Sequence, residues 1–473
     1  MTDRANTFGV IVGNRSFFPD RLVEEGRDQV LRAMEKAGYE ALILSPEATP
    51  CGAVGTREDA ERCARLFAES RDEIDGVIVT LPNFGDEQSA ADALRLADLA
   101  VPVLIHAFPD DPSLLDVEHR RDAFCGKLSL CNNLVQYGIP FSTTSLHVES
   151  PRSERFRNDL DAFAGVCRLV NGLRTARLGL VGARPSAFNT VRFSEKILER
   201  AGISVETVDL SEVIARAEGY DRDATTVRAE LDRIRGYVPT DGIPQAALGK
   251  MARLSCALSE WIDENALDAV AIQCWTALER IYGIVPCAVM SLLSERLIPG
   301  ACEADVMGAL SMYALTLATG SPAALLDWNN NWGDDENRAI TFHCSNLPKS
   351  FLEDARMSHQ AIIANEVGVE NTYGTCVGRI PPGPATFLRL SSDDVHGRIV
   401  GYLVEGEYTD DTADTFGGYG VVEIRNLQGL MQHIVRHGFE HHVAAVRGRA
   451  GAVVREAVRM YLGWELYDHD ETS

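Results

Sequence analysis

The sequence predicts an α/β protein in which two Rossmann-like parallel-sheet domains precede a mostly antiparallel, barrel-like β domain. Continuous apolar runs, such as residues 8–12 and 177–181, alternate with helical stretches, which is the pattern of parallel sheets covered on both faces. After about residue 350, short apolar or alternating runs are separated by turns such as 381–384, as in antiparallel sheets and barrels. We place the domains at residues 1–165, 166–348 and 349–473.

Strands and helices alternate along the first domain. The predicted strands are residues 8–12, 41–44, 76–81 and 102–106, and the predicted helices are residues 20–37, 57–70 and 87–99. Ligands of parallel sheets bind beyond the carboxyl ends of the strands. We therefore expect the loops at Asn14-Arg15 and at 83–86 to be the functional segments of this domain.

A bridging helix at 151–173 leads into the second domain. Its predicted strands are residues 177–181, 204–209, 269–273 and 338–344, and its predicted helices are residues 190–201, 247–264 and 301–320. The third domain has predicted strands at 375–379, 386–390, 397–405 and 418–422, followed by an amphipathic helix at 450–462.

The overall composition excludes several classes of protein. The net charge of −24 disfavours nucleic acid and anionic membrane partners, because phosphates would be repelled. No run reaches the roughly 18 apolar residues needed to span a bilayer, and the N-terminus has no apolar signal core. The 11 cysteines form no CxxC pair, which is typical of reduced thiols in an intracellular protein. We expect a cytoplasmic protein.

Glu303 is the first candidate for chemistry. It lies in the stretch Ala301-Cys302-Glu303-Ala304-Asp305, at the start of the predicted helix 301–320. Acids are common in a first helical turn, where they favour the positive end of the helix dipole. Its small apolar neighbours nevertheless make an acid costly unless it meets a cation or hydrogen-bond donors. A structural and a functional role are both open.

Asp327 is the second candidate, in the stretch Leu325-Leu326-Asp327-Trp328-Asn329-Asn330-Asn331-Trp332. Asp and Asn favour turns, so a turn is one interpretation. The other is a polar pocket with aromatic walls, in which amides and a carboxylate bind a sugar or a hydrated metal ion.

Three histidines complete the candidate set. His343 ends a predicted strand, and His441 and His442 are adjacent, so at most one of this pair faces a given site if the segment is extended. Each could instead be structural or lie on the surface. Two carboxylates with one or two histidines form an oxygen-rich site that suits Mn²⁺ or Mg²⁺ better than structural zinc. No GxGxxG, GxxxxGK[ST] or GxSxG motif occurs, which argues against dehydrogenases, kinases and esterases.

At these residues the chain resembles the L-fucose isomerase and L-arabinose isomerase superfamily, although it is shorter than a typical L-fucose isomerase. The matching stretches are 302–310, 326–329 and 342–344, together with the turn and strand at 378–386 and the pair His441-His442. Glu303 and Asp327 are 24 residues apart (327 − 303), a spacing similar to that of L-fucose isomerases, and Asp rather than Glu at the second position is closer to that branch.

The resemblance implies roles for individual residues. Glu303 and Asp327 bind Mn²⁺ (or Mg²⁺) and move protons, and His442 completes the metal shell. His343 matches a histidine that binds the metal in the arabinose branch, and here we assign it to the substrate. Arg15 is similar to a residue that reaches the site of a neighbouring subunit, which implies a homo-oligomer, a trimer or hexamer, with shared active sites. We also assign Asn329, Trp275 and Arg184 to substrate binding.

The predicted function is therefore a metal-dependent aldose–ketose isomerase that acts on a pentose, a 6-deoxyhexose or a modified hexose. In such a reaction one proton moves between C2 and C1 through a cis-enediol, with the two carboxylates as acid and base. Two alternatives stay open: a non-catalytic sugar-binding or regulatory protein of the same fold, and a metal-dependent epimerase or aldolase.

Overall fold

Residues 6–472 are described by a computed structural model, in which the chain separates into two compact units. The first unit contains the residues up to Asn171 together with Glu456–Gly463, and the second contains Gly172–Arg455 and the segment from Trp464 onward. The expectation that no export signal is present rests partly on residues 1–5, which lie outside the described residues.

The first unit is built on a five-stranded parallel sheet with the order β2-β1-β3-β4-β5. Its strands are β1 (Thr7–Val12), β2 (Glu40–Ile43), β3 (Gly76–Leu81), β4 (Val103–Ala107) and β5 (Ser142–Thr143). Its helices are α1 (Asp20–Ala37), α2 (Arg57–Glu69), α3 (Glu87–Ala97), α4 (Ala123–Gln136) and α5 (Glu154–Arg174), the last three residues of which belong to the second unit. Every residue of β1 and β3 is buried, which is why these strands are continuous apolar runs in the sequence.

The second unit begins with a four-stranded parallel sheet with the order β7-β6-β8-β9. Its strands are β6 (Arg177–Val181), β7 (Ser204–Val208), β8 (Ala269–Ile272) and β9 (Gly300–Ala301). The helices of this part are α6 (Glu195–Arg200), α7 (Leu210–Gly219), α8 (Thr225–Tyr237), α9 (Gln245–Glu264), α10 (Ala277–Ile281), α11 (Cys287–Glu295) and α12 (Val306–Thr319).

A nine-stranded, mostly antiparallel sheet completes the second unit. Its strands are β10 (Ala323–Asn331), β11 (Arg338–His343), β12 (Glu353–His359), β13 (Tyr373–Arg379), β14 (Gly383–Asp393), β15 (Arg398–Tyr408), β16 (Gly418–Glu423), β17 (His442–Arg447) and β18 (Glu465–Asp468). Because β16 pairs with both β11 and β15, the strands β16-β11-β10-β17-β14-β15 close into a six-stranded antiparallel ring. The predicted barrel-like architecture is confirmed.

The remaining helices are α13 (Ala361–Val367), α14 (Leu427–His437), α15 (Gly451–Glu456) and α16 (His469–Thr472), and a π-helical segment, Ala457–Leu462, directly follows α15. No helix within the described range 6–472 is long and apolar enough to cross a bilayer.

The structure differs from the sequence prediction between residues 301 and 343. The antiparallel sheet begins at Ala323, whereas we expected the β domain from residue 349, because a buried apolar run does not reveal which sheet it joins. The stretch around Asp327 is a strand with a bulge between Trp328 and Asn330, not a turn. The helix predicted at 301–320 begins at Val306.

Glu279 on α10 is an isolated buried acid. It is fully buried, and neither of its carboxylate oxygens has a hydrogen-bond partner among the described residues. Burial raises the pKa of Glu279 from 4.5 to about 8, because a charge in this apolar setting has lost its hydration.

We predict that Glu279→Gln changes how protein stability depends on pH. The carboxyl group of Glu279 is protonated in both the folded and the unfolded state below pH 4.5. Between pH 4.5 and about 8 it ionises only in the unfolded state, so the wild-type protein loses stability as the pH rises through this range. The variant therefore gains roughly 2–4 kcal/mol in unfolding free energy, relative to wild type, between these limits. Urea unfolding across this range measures it, with the exposed Glu366→Gln as control. Parallel pH profiles for wild type and Glu279→Gln would contradict the prediction.

Candidate functional site

Asp327 and His442 are brought together by strand register. They are direct partners in the antiparallel pairing of β10 with β17. Side chains of such pairs lie on the same face of the sheet. The Nε2 atom of His442 is 3.5 Å from Oδ1 of Asp327. On the other side of β10, strand β11 ends at His343, one residue after the partner of Asp327.

Glu303 reaches the same place from the parallel sheet. It follows β9, and its Oε2 atom is 3.5 Å from Nε2 of His442 and 3.8 Å from Nε2 of His343. Glu303 has φ +56° and lies before α12, so our assignment of Glu303 to a first helical turn is wrong. A left-handed residue just after a strand stops the strand and redirects the side chain, which local patterns in a sequence do not reveal.

His441 also approaches Asp327, with 3.7 Å between its Nε2 atom and Oδ1 of Asp327. We expected at most one of the two adjacent histidines to face a given site. The alternation rule does not apply because β17 begins at His442 and His441 lies outside the strand. The side chain of His442 is buried, whereas that of His441 is 43% exposed.

Two buried oxygen atoms at this cluster are unsatisfied. Oε2 of Glu303 and Oδ1 of Asp327 have no hydrogen-bond partner among the described residues. Both are 3.5 Å from the same ring nitrogen, Nε2 of His442. Two carboxylate oxygens and an imidazole nitrogen that converge in a buried place repel one another unless a proton or a cation lies between them. The donor set of two carboxylates and one imidazole fits a divalent cation such as Mn²⁺ or Mg²⁺.

His442 is oriented by a buried carboxylate behind it. Its Nδ1 atom is 2.8 Å from Oδ2 of Asp305, so that nitrogen donates to the carboxylate and Nε2 faces Glu303 and Asp327. Metal-binding histidines are commonly held by such a carboxylate, which fixes the tautomer and the ring orientation. Asp305 also caps α12 by accepting from the backbone N–H of Gly308.

Arg389 on β14 neutralises the buried acids behind the cluster. Its guanidinium donates to both oxygens of Asp305, at 2.6 and 3.1 Å, and its Nε donates to Oε2 of Glu440 at 3.1 Å. Arg389 and Asp305 are fully buried. Burial would raise the pKa of Asp305, but Arg389 and His442 hold it well below its usual range, so the carboxylate stays charged.

The pKa of Glu303 is likewise set by two opposing effects. Burial would raise it, but His343, His442 and the indole N–H of Trp275, which donates to Oε1 at 3.1 Å, lower it from 4.5 to about 2. Burial would lower the pKa of His442, but the carboxylates of Asp305, Glu303 and Asp327 raise it. A proton on His442 and a divalent cation are therefore alternative ways to satisfy these acids.

The loop between β6 and α6 lies beside the cluster. The ring of Phe188 in this loop is 5.8 Å from the rings of Trp275 and His442 and 5.3 Å from that of His441. Arg184 in the same loop donates to the carbonyls of Pro185 and Ser186. A polar cavity of about 570 Å³ is lined by Arg184, Asn189, Arg192, Ala304, Ser391 and Glu440, among others. Ala304 and Glu440 are the chain neighbours of Glu303 and His441, so the cavity adjoins the cluster.

Two further predicted site residues lie elsewhere. Asn329 is exposed, at the bulge of β10. Arg15 belongs to the first unit, where its Nε donates to the carbonyl of Gly85, its guanidinium pairs with Glu87, and its Cζ is 4.4 Å from the centre of the Phe84 ring. Their roles in substrate binding stay predictions.

Several residues around the site were not assigned from the sequence. Arg389 and Glu440 lie 84 (389 − 305) and 135 (440 − 305) residues after Asp305, and no local pattern connects them. No sequence pattern marks Phe188 as a residue of the site. Asp305 could have been identified from the sequence, because an aspartate directly before an apolar helical run is a recognisable N-cap signal.

Two cysteines also lie beside Glu303. The Sγ atom of Cys274 accepts a hydrogen bond from the backbone N–H of Glu303 at 3.4 Å, and ligand atoms of Cys274, Cys302 and Glu303 lie within 4.8 Å of one another.

Comparison with protein families gives two matches at the ends of the chain. Residues 9–174 match the family model described as "Fucose/sulfoquinovose isomerase, N-terminal domain". Residues 341–469 match the model described as "L-fucose isomerase, C-terminal domain".

Similar curated proteins include sulfoquinovose isomerases of several bacteria. The protein of Alkalicoccus urumqiensis is 25% identical over 317 residues, which cover 66% of this chain and 69% of that protein. The protein of Clostridium sp. (strain MSTE9) is 28% identical over 305 residues, covering 63% and 66% of the two chains. The protein of Priestia aryabhattai is 23% identical over 344 residues, covering 72% and 74%.

We predict that Asp305→Asn destabilises the protein by about 3–5 kcal/mol, because it removes one of the two carboxylates, Asp305 and Glu440, that neutralise the buried Arg389. Asn can still cap α12, so the loss reports the buried charge. The control Asp28→Asn removes an exposed pair with Arg32 and should cost roughly 0–1 kcal/mol. Equal losses in urea unfolding of the two variants would contradict the prediction.

Proposed function

The chain belongs to the fucose isomerase-like family and is an aldose–ketose isomerase, and we propose that it is a divalent-metal enzyme whose substrate is a sugar with an anionic group. The observation that carries the metal proposal is the convergence of two unsatisfied buried carboxylate oxygens on one histidine nitrogen. The names of the relatives and the arginines beside the cluster support the anionic substrate.

Glu303, Asp327 and His442 are the residues that would hold the ion, with Mn²⁺ or Mg²⁺ as the candidates. All three side chains are wholly or largely buried, and Asp305 and Arg389 fix the imidazole from behind. A bound cation would polarise two neighbouring sugar oxygens and lower the energy of the negative charge that develops on them.

The chemical step is a proton transfer between C2 and C1 through a cis-enediol. Glu303 is ionised, since its neighbours hold its pKa at about 2, and a carboxylate is the form that accepts a proton. Asp327 faces the same space from the opposite sheet and would exchange the hydroxyl proton. The indole N–H of Trp275 donates to Oε1 of Glu303 and so fixes the orientation of this carboxylate toward the cluster.

Phe188 and Trp275 supply apolar surface on one side of the cluster. Exclusion of water from the site keeps the proton that the base has removed from exchanging with solvent. It also strengthens the electrostatic interactions inside the site. Phe188 would thus help to retain the proton between its removal and its return.

The arginines of the β6–α6 loop are the candidates for binding an anionic substituent such as the sulfonate of sulfoquinovose. Arg184 and Arg192 both line the cavity beside the cluster. The Nε atom of Arg192 donates to the carbonyl of Asn189, and its two terminal nitrogens have no protein partner in the described part of the chain. A planar guanidinium binds the oxygens of an anion with two parallel hydrogen bonds.

We predict that Glu303→Gln and Asp327→Asn each abolish aldose–ketose conversion while the circular dichroism spectrum and unfolding midpoint stay close to those of wild type. Each substitution removes a charge without a change in size. The exposed Glu336→Gln between β10 and β11 is the matched control. A folded Glu303→Gln or Asp327→Asn variant with near-normal turnover would exclude the proposed roles.

We also predict that a chelator removes activity and that Mn²⁺ or Mg²⁺ restores it. Product analysis by NMR in D₂O should show interconversion of an aldose and its ketose without cleavage of the carbon chain. Activity that survives exhaustive chelation would overturn the metal proposal. Chain cleavage or inversion at a single carbon would instead indicate an aldolase or an epimerase.

We predict that Arg192→Met lowers kcat/KM for sulfoquinovose by about 10- to 100-fold, as expected for the loss of a charged hydrogen bond. Its effect on a neutral 6-deoxyhexose should be small. Arg200→Met on α6 is the control, because this exposed arginine donates to Gly397 in a different cavity. Equal losses for sulfonated and neutral sugars would contradict the anion-binding role.

A further inference from the structure

Two neighbouring parallel strands of the second unit are followed by cysteine residues. Strands β8 and β9 pair at Ala271 and Ala301 and end at Ile272 and Ala301. Cys302 follows β9 directly, and Cys274 follows β8 by two residues. Because the carboxyl ends of neighbouring parallel strands lie at the same edge of a sheet, the two thiols come close together there. Ligands of parallel sheets bind at this edge.

The two thiols and the carboxylate of Glu303 form a compact set of ligand atoms. One sulfur from each of Cys274 and Cys302 and one oxygen of Glu303 all lie within 4.8 Å of one another. The backbone N–H of Glu303 donates to Sγ of Cys274, which holds this sulfur beside the turn that carries the carboxylate. In a tetrahedral zinc site with Zn–S bonds of about 2.3 Å, the ligand atoms are about 3.8 Å apart, so small side-chain rotations suffice to enclose a cation.

Apolar packing alone does not account for this pair of thiols. A free buried cysteine usually serves as a small apolar residue, and Cys63 of the first unit is such a case, since it packs within an apolar cluster. Cys302 is instead hydrogen-bonded to the thiols of both Cys274 and Cys287. Beside these sulfur atoms lies the carboxylate of Glu303, one oxygen of which has no hydrogen-bond partner among the described residues. A buried polar group of this kind is unfavourable unless it meets a proton or a cation.

We propose that Cys274, Cys302 and Glu303 form a second cation site, which binds thiophilic ions such as Zn²⁺ or Cd²⁺. Thiolates are soft ligands that favour these ions, whereas the oxygen-rich set of Glu303, Asp327 and His442 favours Mn²⁺ or Mg²⁺. On binding, the ion forms two metal–sulfur bonds and one metal–oxygen bond, and the two thiol protons pass to water. Three protein ligands leave the fourth position of the tetrahedron to a water molecule.

The polar cavity beside the cluster gives such an ion a route to the thiols. Ala304, which follows Glu303 in the chain, lines this cavity. Glu303 is 7% exposed, whereas Cys302 is fully buried. The carboxylate is therefore the first of the three ligands that an entering cation meets, and the sulfur atoms lie behind it.

Glu303 belongs to both cation sites, so the two sites compete for one carboxylate. An ion at the thiols draws this carboxylate away from Asp327 and His442, and an ion between those residues draws it away from the sulfur atoms. Such coupling is reciprocal and typically changes each affinity by about 5- to 150-fold. An excess of thiophilic ions would thus inhibit the isomerase. This consequence rests on the proposed function, whereas the binding of a cation by the thiols does not.

The test is a titration of the whole reduced protein with Cd²⁺, in which the ultraviolet sulfur-to-metal charge-transfer band reports bonds to thiolates. Wild type should develop this band with one Cd²⁺ per chain. Cys274→Ser and Cys302→Ser should each lose at least half of its intensity, since each variant lacks one of the two metal–sulfur bonds. The matched controls are Cys376→Ser, a buried cysteine of β13, and Cys125→Ser, an exposed cysteine of α4, and both should keep the band.

Added Mn²⁺ tests whether Glu303 is shared between the two sites. In wild type, saturating Mn²⁺ should raise the Cd²⁺ concentration at the midpoint of the band by about 5- to 150-fold. In His442→Gln, which keeps the thiols but lacks a ligand of the oxygen-rich site, Mn²⁺ should leave this midpoint unchanged.

Three results would overturn the proposal: no band in wild type, a full band in folded Cys302→Ser, or a wild-type band that is indifferent to bound Mn²⁺. If the band is present but Mn²⁺ itself does not bind, the proposed Mn²⁺ or Mg²⁺ site is wrong and the thiol site stands.

Discussion

The second unit is organised around one buried ion pair, between Asp305 at the start of α12 and Arg389 on β14 of the barrel. Burying either charge alone is prohibitive, so each must meet the other, and their bidentate contact fixes the parallel-sheet part and the barrel against each other. His442 and Glu440 complete the network from the segment that leads into β17. Asp305 thus acts as helix cap, counter-ion and anchor of a histidine at once.

The orientation of His442 then determines the site. With its Nδ1 proton held by Asp305, the other ring nitrogen faces two acids that come from different sheets: Glu303 beyond β9 and Asp327 on β10. Each acid has a buried oxygen 3.5 Å from that nitrogen with no hydrogen-bond partner among the described residues.

The alternating architecture was readable from the sequence because it rests on local periodicity. Helix α1 has the predicted bounds, as does the strand Arg177–Val181, and the turn-rich C-terminal third is antiparallel for the most part, as predicted. The sheet joined by β10 was not readable, since a buried apolar run fits a parallel or an antiparallel sheet equally well. The left-handed backbone of Glu303 and the partnership of Asp305 with Arg389 depend on contacts between residues far apart in the chain. The acids themselves were identifiable, but what orients His442 was not.

The central claim is that Glu303, Asp327 and His442 together hold one divalent cation. Its most direct test is a titration of the metal-free protein with Mn²⁺, in which binding is measured by the loss of the electron paramagnetic resonance signal of free Mn²⁺. Our account predicts one tight site per chain that is lost in His442→Gln and retained in His437→Gln, an exposed histidine of α14. Binding that is absent in wild type, or unchanged in His442→Gln, would contradict it.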